Sequence, residues 1–495
     1  MSSPSGRTSN TPVVCRSSAG RLNEHLARRS KLSILGGYQS RTSHTPFFFM
    51  DFLFTALQRF RLLSLTVAWV AGVVSILLAE PSGPVAAAGA YAFGLFILLT
   101  VARLRWDSLV ILSVLAGATW FLVGAVPGPE DILAGGERVL IFAALIPTMA
   151  LVRATAMTMP SVHATQQRLA RLPKNAFAGG QQLAAHVFGG IINTGAFALL
   201  SAVLPSNAPE ARRRASAEAV IRGMVSSSAW SPFFIAFAIG QTFVDPVYAW
   251  MAIAIGAVSA ALFTIATLLV LTRGFGPVEL RQSLACLGPV ASRLAIVLAS
   301  VLAVALLFGL TALSAVVVVM PLLVALQLFR HRDKARLILS QTRGAMQSTA
   351  DDLVVITAAM LVAFFATQDG GLASLVAGIY PGQFPGWLAL VATPVLMMAL
   401  SVVGIHPVIT STALLATFSG GGADVHPALL VQAHLIGWGA GTMSSIASLS
   451  VLTCAGLYQV PARRLVIGHN MASGFAYAAG CGGLLVLANF ALGHV

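Results

Sequence analysis

Two stretches of this chain repeat one another at a fixed spacing, and the charges around them require the copies to cross a bilayer in opposite directions. An offset of 214 residues lays Val139–Val152 (VLIFAALIPTMALV) on Leu353–Ala366 (LVVITAAMLVAFFA), and Ala185–Leu204 on Ala399–Phe418. Gly223-Met-Val-Ser-Ser then falls on Gly441-Thr-Met-Ser-Ser at an offset of 218. The repeat cores are residues 137–272 and 351–491. Inverted repeats are how secondary transporters place a site near the midplane that can face either side. Transport is therefore the expected class of function.

Composition removes the alternatives outside the membrane. With 57% apolar and 9% charged residues, 495 residues cannot form a water-soluble globule. Many runs reach the roughly 20 apolar residues that a helix needs to cross hydrocarbon. A formal charge of +14 would suit nucleic acid. The basic residues sit in short loops between apolar runs, however, as the positive-inside rule requires. The expected partner is the lipid bilayer, with no nucleic acid. Cys15, Cys286, Cys454 and Cys481 have no metal or disulfide spacing and read as packing residues. No cofactor is expected.

Residues 1–60 form a basic N-terminal tail. Up to residue 49 it is rich in Ser, Thr and Arg, has Glu24 as its only acid, and lacks a secretory apolar core. It reads as a disordered cytoplasmic tail, a transit peptide, or sequence upstream of the true start. Met50-Asp-Phe-Leu-Phe, leading into Arg59 and Arg61, favours a start at Met50. The remaining organisation is a first repeat with scaffold helices over 62–272, cytoplasmic loops and scaffold helices over 273–350, and the second repeat core over 351–491.

The fold class expected is an all-α polytopic membrane protein with about eleven transmembrane helices and two re-entrant hairpins. Spans are predicted at 62–79, 85–102, 108–126, 138–152, 219–243, 247–272, 294–311, 312–329, 353–366, 431–458 and 465–490. The loops at 103–107, 153–175, 206–222, 273–293, 330–350 and 462–464 hold twenty Lys and Arg, against one, Arg138, in the alternate loops. The N-terminus is thereby expected in the cytoplasm and the C-terminus outside, in a bacterial inner membrane. Stretch 176–204 has Arg171 and Lys174 before it and Arg212–Arg214 after it, so both its ends are cytoplasmic and it must enter and return. Stretch 385–418 has no basic flank and fits a hairpin entering from outside. The basic segment 330–343 is read as a loop that holds topology.

Four polar segments are expected to converge. The hairpin tips carry Asn193, Thr194 and Gly195 in one case, and His406, Pro407, Thr410, Ser411 and Thr412 in the other. The interrupted helices carry Ser226, Ser227 and Ser228, and Thr442, Ser444 and Ser445. Pro232 removes a helix hydrogen bond, and half-helix N-termini suit anions while freed carbonyls suit sodium. Asn193, Ser227 and Ser445 are the candidate sodium ligands. The competing reading is that such hydroxyls bond to their own helix and that small residues pack helices together.

No carboxylate lies deep in a predicted span, since Asp351 and Asp352 begin one and Asp369 ends it. Carboxylate proton relays thus lack their usual parts. His186, His434 and His469 are read as neutral residues satisfying local carbonyls. His406, at a tip beside Pro407, is a candidate to bind a carboxylate or carry a proton.

Eleven spans, a cytoplasmic N-terminus, an external C-terminus and two opposed hairpins resemble the ion transporter superfamily, especially its divalent anion:sodium symporters. The resemblance covers about residues 62–491. In that family each tip carries Ser-Asn-Thr against the substrate carboxylate and sodium. Here Ile192-Asn193-Thr194 keeps the last two residues, whereas the second tip has His406-Pro407 and then Thr410-Ser411-Thr412. The resemblance implies a homodimer whose scaffold is formed by the spans before 137 and within 289–330, around a mobile unit that slides as an elevator.

The function expected is a cation-coupled secondary transporter of a small organic anion, a carboxylate, with sodium or protons as coupling ion. Alternatives are an exporter or sodium/proton antiporter, or the large membrane subunit of a binding-protein-dependent uptake system. An enzyme such as a membrane glycan polymerase is not expected, because the external loops are short and hold few charges, mainly Glu130, Asp131, Glu137, Arg138, Asp369 and Asp424. Two occluding hairpins also disfavour a passive channel.

Overall fold

A computed structural model of the chain describes residues 46–123, 126–368, 374, 376, 378 and 380–494. The tail up to residue 45 and Asp369 lie outside these residues. By its contacts the chain divides into Met1–Ala56 and Leu57–Val495. Of the first unit only the start of a helix is described; the helical bundle belongs to the second.

The first helices are α1 (Pro46–Leu77), α2 (Pro84–Val101), α3 (Trp106–Leu122), α4 (Pro129–Ala156) and α5 (Pro160–Ala170). Next come α6 (Lys174–Ile192), α7 (Gly195–Ser201), α8 (Glu210–Ser228), α9 (Ile235–Phe243) and α10 (Ala249–Leu271). The middle holds α11 (Pro277–Cys286), α12 (Gly288–Phe308), α13 (Ala312–Arg330), α14 (Arg332–Ser348) and α15 (Ala350–Gln368). The last are α16 (Gly386–Val402), α17 (Pro407–Phe418), α18 (Pro427–Ser444), α19 (Leu449–Tyr458), α20 (Ala462–Val466) and α21 (His469–Ala491). Proline opens α2, α4, α5, α11, α17 and α18, where its missing N–H has no helical partner to lose.

The chain is an all-α polytopic membrane protein. Among the described residues eight helices are long and apolar enough to cross a membrane, and the pair α18/α19, bent by 41°, makes a ninth. Leu98, Leu269, Leu307 and Phe329 stand exposed on them, as lipid-facing side chains do. Two of the eleven expected spans take another form. The one at 108–126 is the shorter α3, of 17 residues. The one at 219–243 is broken between Ser228 and Ile235, around Pro232, which lacks an N–H and disfavours helical angles at the residue before it.

Four segments read as loops are helical: α5, α11, α14 and the short α20. In α14 the buried residues Ile338, Thr342 and Met346 recur every four positions, and its arginines lie off that stripe. Lys334 Nζ donates to Thr158 O at the end of α4 (2.9 Å). The segment therefore packs on the bundle as well as carrying charge.

Both odd apolar stretches are helical hairpins. In the first, the Gln181 amide on α6 donates to Leu200 O on α7 (3.3 Å), which requires the second arm to return along the first. Buried Tyr458 of α19 donates to Gln181 Oε1 (3.2 Å) and ties this hairpin to the second half of the chain. In the second hairpin, Phe384 before α16 and Phe418 at the end of α17 meet edge to face, ring centroids 5.5 Å apart. Elements exchange partners across the halves: α7 packs on α19, α17 on α9, and α8 on α18.

The Arg212 guanidinium sits 4.3 Å above the Phe177 ring, three residues beyond Lys174. Lys174→Cys and Arg212→Cys are accordingly expected to react with an impermeant maleimide from one and the same face of the membrane. Labelling from opposite faces would mean that 176–204 crosses the bilayer once and is no hairpin.

Candidate functional site

The two hairpin tips and the two helix breaks bound one cavity of about 300 Å³. Each tip is a short non-helical link. At the first, Asn193 ends α6 with φ +50° and ψ −133°, a region that a non-glycine residue enters only when the surroundings hold it there. At the second, Gly404 takes φ +95°, where a side chain would be strained, and His406 caps the start of α17.

Of the residues expected to bind, Asn193, Thr194, Ser228, His406, Pro407, Thr442 and Ser445 line this cavity. Their hydrogen bonds set what they can offer. The Ser228 and Thr442 hydroxyls donate to Val225 O (2.7 Å) and Gly439 O (3.0 Å), which leaves their lone pairs as acceptors. Neither Asn193 nor Ser445 has a side-chain hydrogen bond among the described residues. His406 Nδ1 accepts from Val408 N (3.2 Å), so the neutral ring carries its proton on Nε2. The cavity thus combines acceptor oxygens suited to a cation with N–H donors suited to an anion.

The other expected residues do not line it. The Gly195 Cα packs on the Arg153 side chain. Ser226 donates to Gly223 O (2.8 Å) and Ser227 to Met224 O (2.6 Å). Ser227, named with Asn193 and Ser445 as a sodium ligand, does not line the cavity, whereas its neighbour Ser228 does. One residue turns a helix by about 100°, so the serine that faces inward depends on how the helix is seated. Thr412 donates to Val408 O (2.9 Å). Thr410 and Ser444 are buried with hydroxyls unpartnered among the described residues.

Two histidines read as bland are bound into structural networks. His434 Nε2 lies 2.8 Å from Ala236 O and must carry the proton, so its Nδ1 accepts from Ser411 Oγ at 2.9 Å. Ser411 thereby joins α17 to α18 and α9, and it does not line the cavity. His186 Nε2 accepts from Trp230 Nε1 (3.3 Å), which places its proton on Nδ1, 2.8 Å from Ser226 Oγ. His469, at the start of α21, is exposed.

Residues outside the expected set also shape the cavity. Trp438 lines it with an indole N–H that has no partner among the described residues, edge-on to His406 at 6.3 Å. Its signal in the sequence is a lone aromatic between Gly437 and Gly439, just ahead of the second break. Ser448 caps α19 by accepting from Val451 N (3.2 Å) and donates to Thr442 O (2.6 Å), bridging that break. At the mouth stand Arg105, Asp107 and Asp352. Arg105 Nε contacts Asp351 Oδ2 at 3.2 Å, and its terminal nitrogen contacts Asp352 Oδ1 at 3.5 Å. This pairing is solvent-exposed and contributes at most about 1 kcal/mol. No cluster of three His, Cys, Asp or Glu that could hold a metal ion occurs among the described residues.

No protein-family model matches the chain. No curated protein matches it either. Among solved structures it is similar to the YdaH transporter of Alcanivorax borkumensis, at 14% identity over 80% of this chain and 97% of that one, with a TM-score of 0.38. It is also similar to MtrF of Neisseria gonorrhoeae, described as illuminating a class of antimetabolite efflux pumps. That match has 13% identity over 77% of this chain and 93% of that one, with a TM-score of 0.38.

Proposed function

We propose that this protein is a secondary active transporter of a small organic anion, a carboxylate, coupled to sodium or protons. One observation carries the reading: both hairpin tips and both helix breaks border a single cavity, although they are spread over more than 250 residues of sequence. Irregular backbone at membrane depth is tolerated only where it is buried or lines such a space. The first arms of the hairpins end at Ile192 and Val402, and the first halves of the broken helices end at Ser228 and Ser444. These separations, 210 and 216 residues, bracket the 214-residue offset of the repeats. The exchange of partners between halves supports an inverted pair in the same way.

Anion and cation entering together would neutralise the site, so that the hairpin-bearing unit can move past a scaffold of α1–α3, α12 and α13. The exposed apolar faces of that scaffold suit lipid and a second copy of the chain. With Asn193, Ser228, His406 and Ser445 as ligands, binding of carboxylate and cation should be mutually dependent. In a thermal-shift screen of purified protein, an organic carboxylate should therefore stabilise strongly only with sodium, or only at low pH if protons couple. A ligand at one hundred times its Kd contributes about 2.7 kcal/mol, well within detection. Carboxylate flux into proteoliposomes that ignores both gradients would overturn the proposal.

A further inference from the structure

We propose a second anion-binding site, for a small carboxylate, at Arg138 on α4, separate from the cavity at the tips. Arg138 lines two cavities, of about 670 and 680 Å³, that meet at its side chain. They lie beside the end of α15 at Gln368, whereas the tip cavity has Asp352, at the start of α15, in its mouth. The sixteen residues between them span about 24 Å of helix, so the two sites lie toward opposite ends of the protein.

The guanidinium is held in place without an ion pair among the described residues. One terminal nitrogen donates to Thr242 O at the end of α9, and the group lies 5.5 Å from the Phe364 ring centroid. Glu137 lines the second cavity beside it, but no described carboxylate lies within ion-pair distance of Arg138. Arginine has five N–H donors, and its planar fork matches a carboxylate in bidentate fashion. Aromatic stacking on one face and a carbonyl at one edge leave the rest of the fork for a ligand. The nearby hydroxyls of Thr367 and Thr417 donate to Ala363 O and Ala413 O, so Arg138 is the strong donor of this chamber. An exposed arginine that opens on a large chamber, with no ion-pair partner among the described residues, is a site for an anion. By the loop-charge topology this chamber faces outward, where it would gather the anion that the tip cavity receives.

The choice of a carboxylate rests on the transport reading, but binding at Arg138 can fail or succeed without it. The test uses the full chain in phosphatidylcholine nanodiscs, so that no anionic lipid competes, with succinate and benzoate as probes in calorimetric titrations. The background variant Asn193→Ala removes a ligand of the tip cavity. Residual binding of at least one probe is expected in that background, weakened at least tenfold by adding Arg138→Gln and weakened less by Arg138→Lys. Both additions are checked for a monodisperse profile, and Arg138→Lys retains the charge should the neutral variant fail to fold. Absence of residual binding, or residual binding indifferent to both Arg138 substitutions, would refute the second site. Normal uptake by Asn193→Ala would refute the tip site instead.

Discussion

Asn193→Ala and Ser445→Ala are each expected to lower carboxylate uptake by roughly ten- to a hundredfold while membrane expression stays at wild-type level. The magnitude follows from losing a hydrogen bond to a charged ligand, about 1.5–3 kcal/mol, at about 1.4 kcal/mol per factor of ten. Asn193 also has a backbone role, since its φ of +50° is costly for any side chain. Asn193→Gly separates the two roles: it relieves the backbone and removes only the amide. Uptake should fall as far in Asn193→Gly as in Asn193→Ala. Full uptake by the glycine variant would show that Asn193 shapes the tip without touching the substrate.

A large effect on folding is expected at Gly256, where α10 passes the break between α8 and α9. A Cβ added there would lie 2.0 Å from Ala229 O and 2.9 Å from Trp230 Cα, both of them backbone. That carbonyl is also fixed from the other side, by the Gln432 amide at 3.0 Å once its O and N are assigned to suit their neighbours. Replacing glycine by alanine inside a helix gains about 0.5–1 kcal/mol of propensity. Overpacking costs about 1–3 kcal/mol even where side chains can adjust, and here a backbone would have to move by more than an ångström. The clash therefore wins, and Gly256→Ala should unfold several degrees earlier or lose its monodisperse profile in detergent. Gly480→Ala, with nothing within 4 Å of the added carbon, should be neutral or slightly stabilising. Equal melting of the two variants would mean that α10 does not pack against the break.

Much of this architecture could be read from residue order because the bilayer imposes strong rules. Long apolar runs marked the helices, and the basic flanks of 176–204 marked a segment that turns back, as the Gln181–Leu200 hydrogen bond shows it does. Pro232 and the serine clusters marked the breaks. Less legible were the helices α5, α11 and α14, whose polar faces imitate loops in a count of charges. Helix ends were also blurred: Arg153 and Arg222, counted with loops, lie inside α4 and α8. Arg222 is buried there, with its guanidinium on Asn470 Oδ1 at 2.8 Å and Gln182 Oε1 at 3.3 Å. A long-range pairing of that kind leaves no local signature.

By itself the sequence determined that the chain is a helical membrane protein with two hairpins and two interrupted helices, because hydrophobicity, proline and charge act locally. Only the tertiary structure decided which polar groups share a space. Helix rotation brought Ser228 to the cavity and turned Ser227 away, packing committed Ser411 to His434, and crossing helices brought Trp438 to the tips. Such outcomes depend on how distant elements seat against one another, a property that no window of residues contains.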